Sequence, residues 1–140
     1  MIGGIIVSHK DAAQGMLNAL RCMYGDIERL TSLSNEGLST NELSGLIAET
    51  ARSFDAEGIC VFVDTYGSSC WRAAKLAGIP NARVITGFNL PMLLSFVTKR
   101  TNVPFSDLSA VLATDAGRGI RTEDTVTERK SDAGSACENR

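Results

Sequence analysis

Two residues with useful chemistry stand at equivalent places in this sequence. His9 follows the apolar run Gly3-Gly4-Ile5-Ile6-Val7 by one serine, and Asp64 directly follows Ile59-Cys60-Val61-Phe62-Val63. Continuous apolar runs of this length read as strands buried on both faces. If the two strands are neighbours, His9 and Asp64 face each other at one mouth of a sheet. A carboxylate bonded to one imidazole nitrogen fixes the tautomer and leaves the other nitrogen free as a nucleophile. It also stabilises the positive charge that develops as the ring attacks phosphorus. The pair therefore suits covalent catalysis with histidine as the carrier.

A transferred anion needs a receptor as well. Asp64-Thr65-Tyr66-Gly67-Ser68-Ser69 is polar, turn-like and leads into a helix, whose free N–H groups and serine hydroxyls can grip phosphate oxygens. Plainer roles exist for each residue. A histidine after a strand also serves as a cap or a solvated group, Asp64 alone can cap a turn, and Ser68, Ser69 and Asn89 are ordinary helix N-caps. Tyr66 is expected partly exposed at the rim. His9 is the only histidine, and none of Cys22, Cys60, Cys70 and Cys137 forms a C-x-x-C pair. A zinc site thus has too few ligands at usable spacing, and neither a metal nor another cofactor is expected. Cys60 reads as a small buried hydrophobe.

The elements that must position these groups alternate between strands and helices. After the first strand, Ala12, Met16, Ala19, Leu20 and Met23 recur at helical spacing, and Gly25 ends that helix. Ile27 to Leu33 is a weaker strand candidate. Ser39-Thr40-Asn41-Glu42 has the form of a capping box, followed by Leu43, Leu46, Ile47, Ala51 and Phe54 on one helical face. The strongest strand, Ile59 to Val63, precedes a helix over Trp71 to Ala77, which Gly78-Ile79-Pro80-Asn81 breaks. Ala82 to Thr86 makes a fourth strand. Pro91 suits the first turn of a helix through Met92, Leu93, Phe96 and Val97. A last helix opens near Pro104 and is expected to stop at Gly117 and Gly119. From Thr122 the chain is polar with little to bury, so residues 123–140 are expected to be a disordered tail after a domain spanning 1–122. Such alternation with buried strands means an α/β sandwich around a parallel sheet, where ligands bind outside the carboxyl ends of the strands.

Length and charge bound the function further. A chain of 140 residues has room for one core, and its net charge of −2 offers no basic surface for nucleic acid. The apolar start is too short for a membrane span and lacks the features of a signal peptide, so a reduced, cytoplasmic chain is expected.

Three motifs in order make the sequence recognisable. Met1-Ile2-Gly3-Gly4-Ile5-Ile6-Val7-Ser8-His9 resembles the start of mannose-family enzyme IIA domains of the sugar phosphotransferase system. Asp64-Thr65-Tyr66-Gly67-Ser68-Ser69 resembles that family's Asp-Thr-aromatic-Gly-Gly-Ser, and Gly87-Phe88-Asn89-Leu90-Pro91-Met92-Leu93 its Gly-Val-Asn-Ile-Pro-Met-Leu. The resemblance covers Met1 to about Arg121. It implies a three-layer fold with sheet order 2-1-3-4, and His9 as the residue phosphorylated by HPr and relieved by an enzyme IIB. It further implies Asp64 as the orienting carboxylate and Thr65, Ser68 and Ser69 around the anion. Lys10, Tyr66, Asn89 and Met92 are candidates for partner docking. A homodimer is implied, with Gly119-Ile120-Arg121-Thr122 at the place of a short exchanged antiparallel strand. Membrane contact would be indirect, through a transporter.

The sequence departs from the family pattern at three places. Lys10 stands where the family has the glycine after its histidine, Ser68 replaces the second glycine, and Cys70-Trp71-Arg72 replaces Pro-Phe-Asn. A free-standing IIA is expected, without the Ala/Pro-rich linker that leads to a IIB domain in fused family members. A regulatory module in which phosphorylation of His9 is a signal is the alternative to transport. A receiver-type or flavodoxin-like module would want other residues after the first strand. A Ser69-His9-Asp64 hydrolase lacks the G-x-S-x-G elbow.

Overall fold

The computed structural model describes residues 1–127. Four strands, β1 (Gly3–Ser8), β2 (Leu30–Ser34), β3 (Ile59–Val63) and β4 (Ala82–Thr86), form an all-parallel sheet in the order β2-β1-β3-β4. The helices are α1 (Ala12–Tyr24), α2 (Thr40–Ser53), α3 (Ser69–Leu76), α4 (Leu90–Lys99) and α5 (Phe105–Arg118). The expected strand order and parallel sheet are those observed.

Alternation along the strands divides the core into two layers. Ile6, Cys60 and Phe62 pack with Leu17 and Leu20 of α1, Leu93 and Phe96 of α4, and Leu108 and Leu112 of α5. Ile5, Val7, Val61 and Val63 face the other way, against Leu43 and Ile47 of α2 and Cys70 and Ala73 of α3. Every residue of β1 and β3 is buried, which is why their sequences read as unbroken apolar runs. Gly4 lets this packing close, since a Cβ there would lie 2.8 Å from both Leu30 Cδ1 and Phe96 Cε1. The Phe96 ring meets Phe62 edge-on with centroids 5.1 Å apart.

One buried cation was not foreseen. Arg100, at the end of α4, is only 6% exposed. Its guanidinium donates to the carbonyls of Ile2 at 3.1 Å and Glu28 at 2.7 Å, and lies over the Phe96 ring. It fastens α4 to the amino end of the sheet, opposite the mouth that holds His9.

Several boundaries differ from those read in the sequence. The second strand starts at Leu30, because Arg29 adopts a left-handed φ of 52° and ends the extended chain before it. Ile27 packs on the α1, α4 and α5 layer from outside the sheet. The third helix begins at Ser69, two residues early, because Ser68 caps it. Gly117 does not stop the last helix. It is exposed and takes helical backbone, so α5 runs through it to Arg118 and Gly119 forms the cap. Residues 120–122 join no strand of the described chain. Residues 123–127 are exposed and have neither helix nor strand, while the rest of the expected tail lies outside the described residues.

Candidate active site

The register of the sheet places the chemistry. Val7 pairs with Val63, so the chain leaves β1 at Ser8-His9 beside the point where it leaves β3 at Asp64. His9 Nδ1 lies 2.6 Å from Asp64 Oδ2, and the backbone N–H of His9 donates to the same oxygen at 2.9 Å. One carboxylate oxygen thus holds both the ring and the main chain that carries it. The side chain of His9 is 45% exposed and that of Asp64 19%, so the ring meets solvent while its partner is largely withdrawn. With Nδ1 donating to the carboxylate, Nε2 carries the free lone pair.

The turn after β1 is built by groups around His9. Ser8 is fully buried, and its hydroxyl accepts from the N–H of Ala13 at 2.6 Å while donating to the carbonyl of His9 at 3.3 Å. Asn35, just beyond β2, receives the Lys10 N–H on its side chain at 3.2 Å and donates its own N–H to Ser8 at 3.1 Å. Neither role was assigned from the sequence. The polar Asn35-Glu36-Gly37 after a strand was the available signal, because a turn at a strand's carboxyl end can reach the neighbouring turn. Lys10 itself has a left-handed φ of 52°, the conformation for which a glycine is suited. Its ammonium is exposed and lies 3.6 Å from Glu36.

The second turn supplies a helix N-terminus. Gly67 takes a φ of 78°, which bends the chain from Asp64 into α3. The Ser68 hydroxyl donates to the Thr65 carbonyl at 2.7 Å and accepts from the Trp71 N–H at 3.3 Å. Its role here is that of a cap. Thr65 and Ser69 are exposed on the same turn. The Tyr66 ring is 74% exposed and stacks on Trp71 with centroids 5.0 Å apart. A cavity of about 550 Å³ opens between α3 and β4, lined by Tyr66, Trp71, Lys75 and Arg83, and includes neither His9 nor Asp64.

Of the docking candidates, Met92 is placed differently from expectation, and Asn89 takes the capping role its position offered. Met92 is 3% exposed and sits in the core, so its side chain is corrected from a docking to a packing residue. Asn89 caps α4, accepting from the Met92 N–H at 2.9 Å and donating to the Ala116 carbonyl at 3.1 Å. Both ends of its amide are engaged, the oxygen in capping α4 and the nitrogen in joining it to α5.

Cys70 is the neighbour that sequence reasoning missed. Its sulfur is buried 3.9 Å from His9 Nδ1. Burial, reinforced by the negative charge of Asp64, pushes its thiol up to about 11. His9, Asp64 and Cys70 bring their ligand atoms within 4.8 Å of one another. Positions 9, 64 and 70 match no ligand spacing, so only the fold reveals the group.

The family model described as PTS system fructose IIA component, of the mannose-type EIIA group, matches residues 3–113. The chain belongs to the mannose-type enzyme IIA family. The match runs from β1 into α5 and takes in the three motifs from Gly3 onward, so His9, Asp64 and Asn89 fall within it. Among enzyme IIA relatives, YadI of Escherichia coli K12, named as a phosphotransferase enzyme IIA component, is 30% identical over 76% of each chain. The mannose-specific EIIAB component of the same organism is 28% identical over 81% of this chain, which spans 36% of that longer protein. The crystal structure of EIIA from Streptococcus agalactiae superposes with a TM-score of 0.79 at 26% identity, covering 87% of this chain and 97% of that one. The mannose/sorbose-specific IIA subunit from Enterococcus faecalis has the same fold, with a TM-score of 0.72 at 20% identity over 91% and 98% of the two chains. Membership as a IIA component implies a role in phosphotransfer for sugar uptake. No helix among the described residues is long and apolar enough to cross a membrane.

Proposed function

We propose that the chain is a cytoplasmic histidine phosphocarrier that accepts a phosphoryl group from HPr on His9 and passes it to an enzyme IIB. The observation that carries this reading is the 2.6 Å pairing of His9 Nδ1 with Asp64 beneath a half-exposed ring. Asp64 keeps the proton on Nδ1, so Nε2 presents its lone pair to phosphorus. As the new N–P bond forms, the bond from phosphorus to the donor breaks and its electron pair leaves with the donor. The positive charge appearing on the ring is met by the carboxylate at Nδ1. Passage to the acceptor reverses these roles.

The first turn of α3 supports the same reading. Its leading N–H groups have no acceptor within the helix, and the helix dipole favours negative charge at this end. Cys70 in this turn touches the His9 ring, which brings the helix terminus beside the reacting group. Thr65 and Ser69 carry exposed hydroxyls on this turn that would add bonds to phosphate oxygens, with Ser68 fixing the turn. Lys10 and Tyr66 form the rim on which a partner would dock. A homodimer formed by exchange of residues 119–122 belongs to the same proposal.

Incubation of the purified protein with phosphoenolpyruvate, enzyme I and HPr, followed by intact mass, tests the carrier role. One acid-labile phosphoryl group is expected on the natural chain and none on His9→Ala. Absence of the gain with a matched HPr refutes the reading.

A further inference from the structure

The cluster at the mouth of the sheet contains one more group than phosphoryl transfer uses. The Cys70 thiol is completely buried, yet it opens onto the half-exposed His9 ring. The second carboxylate oxygen of Asp64, Oδ1, is buried and meets no protein donor. A buried oxygen of this kind ordinarily has a partner. Imidazole nitrogen, carboxylate oxygen and sulfur converge here, all within 4.8 Å, and each is a zinc ligand type.

We propose that His9 Nδ1, the Asp64 carboxylate and Cys70 Sγ form a binding site for a zinc-type divalent cation. A fourth ligand would have to come from solvent, which reaches the site at the half-exposed His9 ring. Tetrahedral zinc holds N and S at about 2.0 and 2.3 Å, which separates those two ligand atoms by about 3.5 Å. The observed 3.9 Å between Nδ1 and Sγ needs only a small inward movement. The carboxylate must give up its contact with Nδ1, and its unpartnered Oδ1 offers a second donor atom to the ion. The mixed soft and borderline ligand set favours zinc over magnesium or calcium, which want oxygen shells. Coordination requires the thiol to lose its proton to solvent, which a bound zinc ion drives.

The consequence for transfer rests on the carrier role proposed above. A metal on Nδ1 takes the lone pair there and leaves the ring proton on Nε2, so the nucleophile is gone. Zinc occupancy and phosphorylation of His9 then exclude each other, and Cys70 gives this chain a cation-sensitive carrier site.

Cobalt(II) serves as the probe, added to the full-length reduced protein. A thiolate-to-cobalt charge-transfer band in the near ultraviolet, saturating at one equivalent and displaced by zinc, is expected. Cys70→Ala should abolish the band, and His9→Gln should weaken cobalt binding at least about tenfold. Far-ultraviolet circular dichroism on both variants checks that the fold is kept. No band at saturating cobalt, or a band that persists in Cys70→Ala through another cysteine, overturns the site. In parallel, the ratio of phosphoryl acceptance with and without zinc should rise to one in Cys70→Ala. A chain that accepts no phosphoryl group even without metal refutes the carrier reading, and the cobalt spectrum still decides the metal site.

Discussion

Replacing Asp64 separates what the carboxylate's charge does from what its oxygen does. In Asp64→Ala both bonds to Oδ2 are lost, so the ring is free to rotate and to hold its proton on either nitrogen. A hydrogen bond to a charged group contributes about 1.5–3 kcal/mol, and each 1.36 kcal/mol is tenfold in rate. The interaction grows as the imidazole becomes cationic, so acceptance should slow by about 10- to 150-fold. Solvent at the 45% exposed ring screens the charge and places the expectation in the lower part of that range. Asp64→Asn is the informative comparison. The backbone N–H of His9 points at Oδ2 and would turn an amide so that its oxygen, not its nitrogen, faces the ring. The correct tautomer is then kept and only the charge is lost, so Asn should fall between the natural chain and Ala.

Quenched-flow transfer from phosphorylated HPr, read by intact mass, measures these rates, and urea unfolding checks that the fold remains. Because Oδ1 is buried without a donor, removing the carboxylate also removes a desolvation cost, and stability should change by less than about 1 kcal/mol. An Asn variant slower than Ala would show that the backbone N–H does not fix the amide. Acceptance within threefold of the natural rate in both variants would refute the orienting role of Asp64.

Three further outcomes follow from other residues. Lys10→Gly should raise stability by about 0.5–1 kcal/mol, because relief of a left-handed residue, about 1–2 kcal/mol, exceeds the extra entropy of glycine in the unfolded chain; a lower urea midpoint would contradict it. Cys60→Ser should cost about 1–3 kcal/mol, since it places a hydroxyl in a fully buried strand position where burial already pushes the thiol up to about 12; an unchanged melting temperature would mean that the hydroxyl finds a partner. Glu42 is held below its ordinary 4.5 by bonds with the backbone and hydroxyl of Ser39, so its contribution is present above 4.5 and lost as pH falls through the lowered value. The gap in urea midpoint between the natural chain and Glu42→Gln should therefore close on acidification, and a gap constant from pH 7 to pH 2 would refute that origin.

What could be read from sequence follows from which interactions are local. β1 and β3 are covered on both faces, and their apolar runs announce it. The α2 capping box is a reciprocal bond between residues three apart, Ser39 and Glu42, so it is visible without a fold. The His9–Asp64 pairing spans 55 positions, but both ends lie one step beyond buried strands, and that symmetry made it legible. Arg100 gave no such signal. Its acceptors are carbonyls of Ile2 and Glu28, which any sequence provides, and only the packed chain brings them together. Met92 misled for a related reason. A motif position close to the site says nothing of which way the helix turns its face, and α4 turns Met92 inward.

The departures at Lys10, Ser68 and Cys70 lie on the two turns that leave β1 and β3, and each has a local physical account. Lys10 occupies a left-handed turn that glycine would enter without strain, so its side chain comes with a backbone cost. Ser68 gives up a glycine's freedom but takes an extended φ of −77° and caps α3 with its hydroxyl. Cys70 inserts a polarisable sulfur behind the imidazole where proline would bring only ring carbons. None of these changes touches the parallel β1–β3 register that sets the distance from His9 to Asp64. The strands hold the His9–Asp64 geometry, while the turns leaving them set what else the histidine meets. Changes at Lys10 would therefore act on partner selectivity, and changes at Cys70 on the proposed metal site, with the β1–β3 register left as it is.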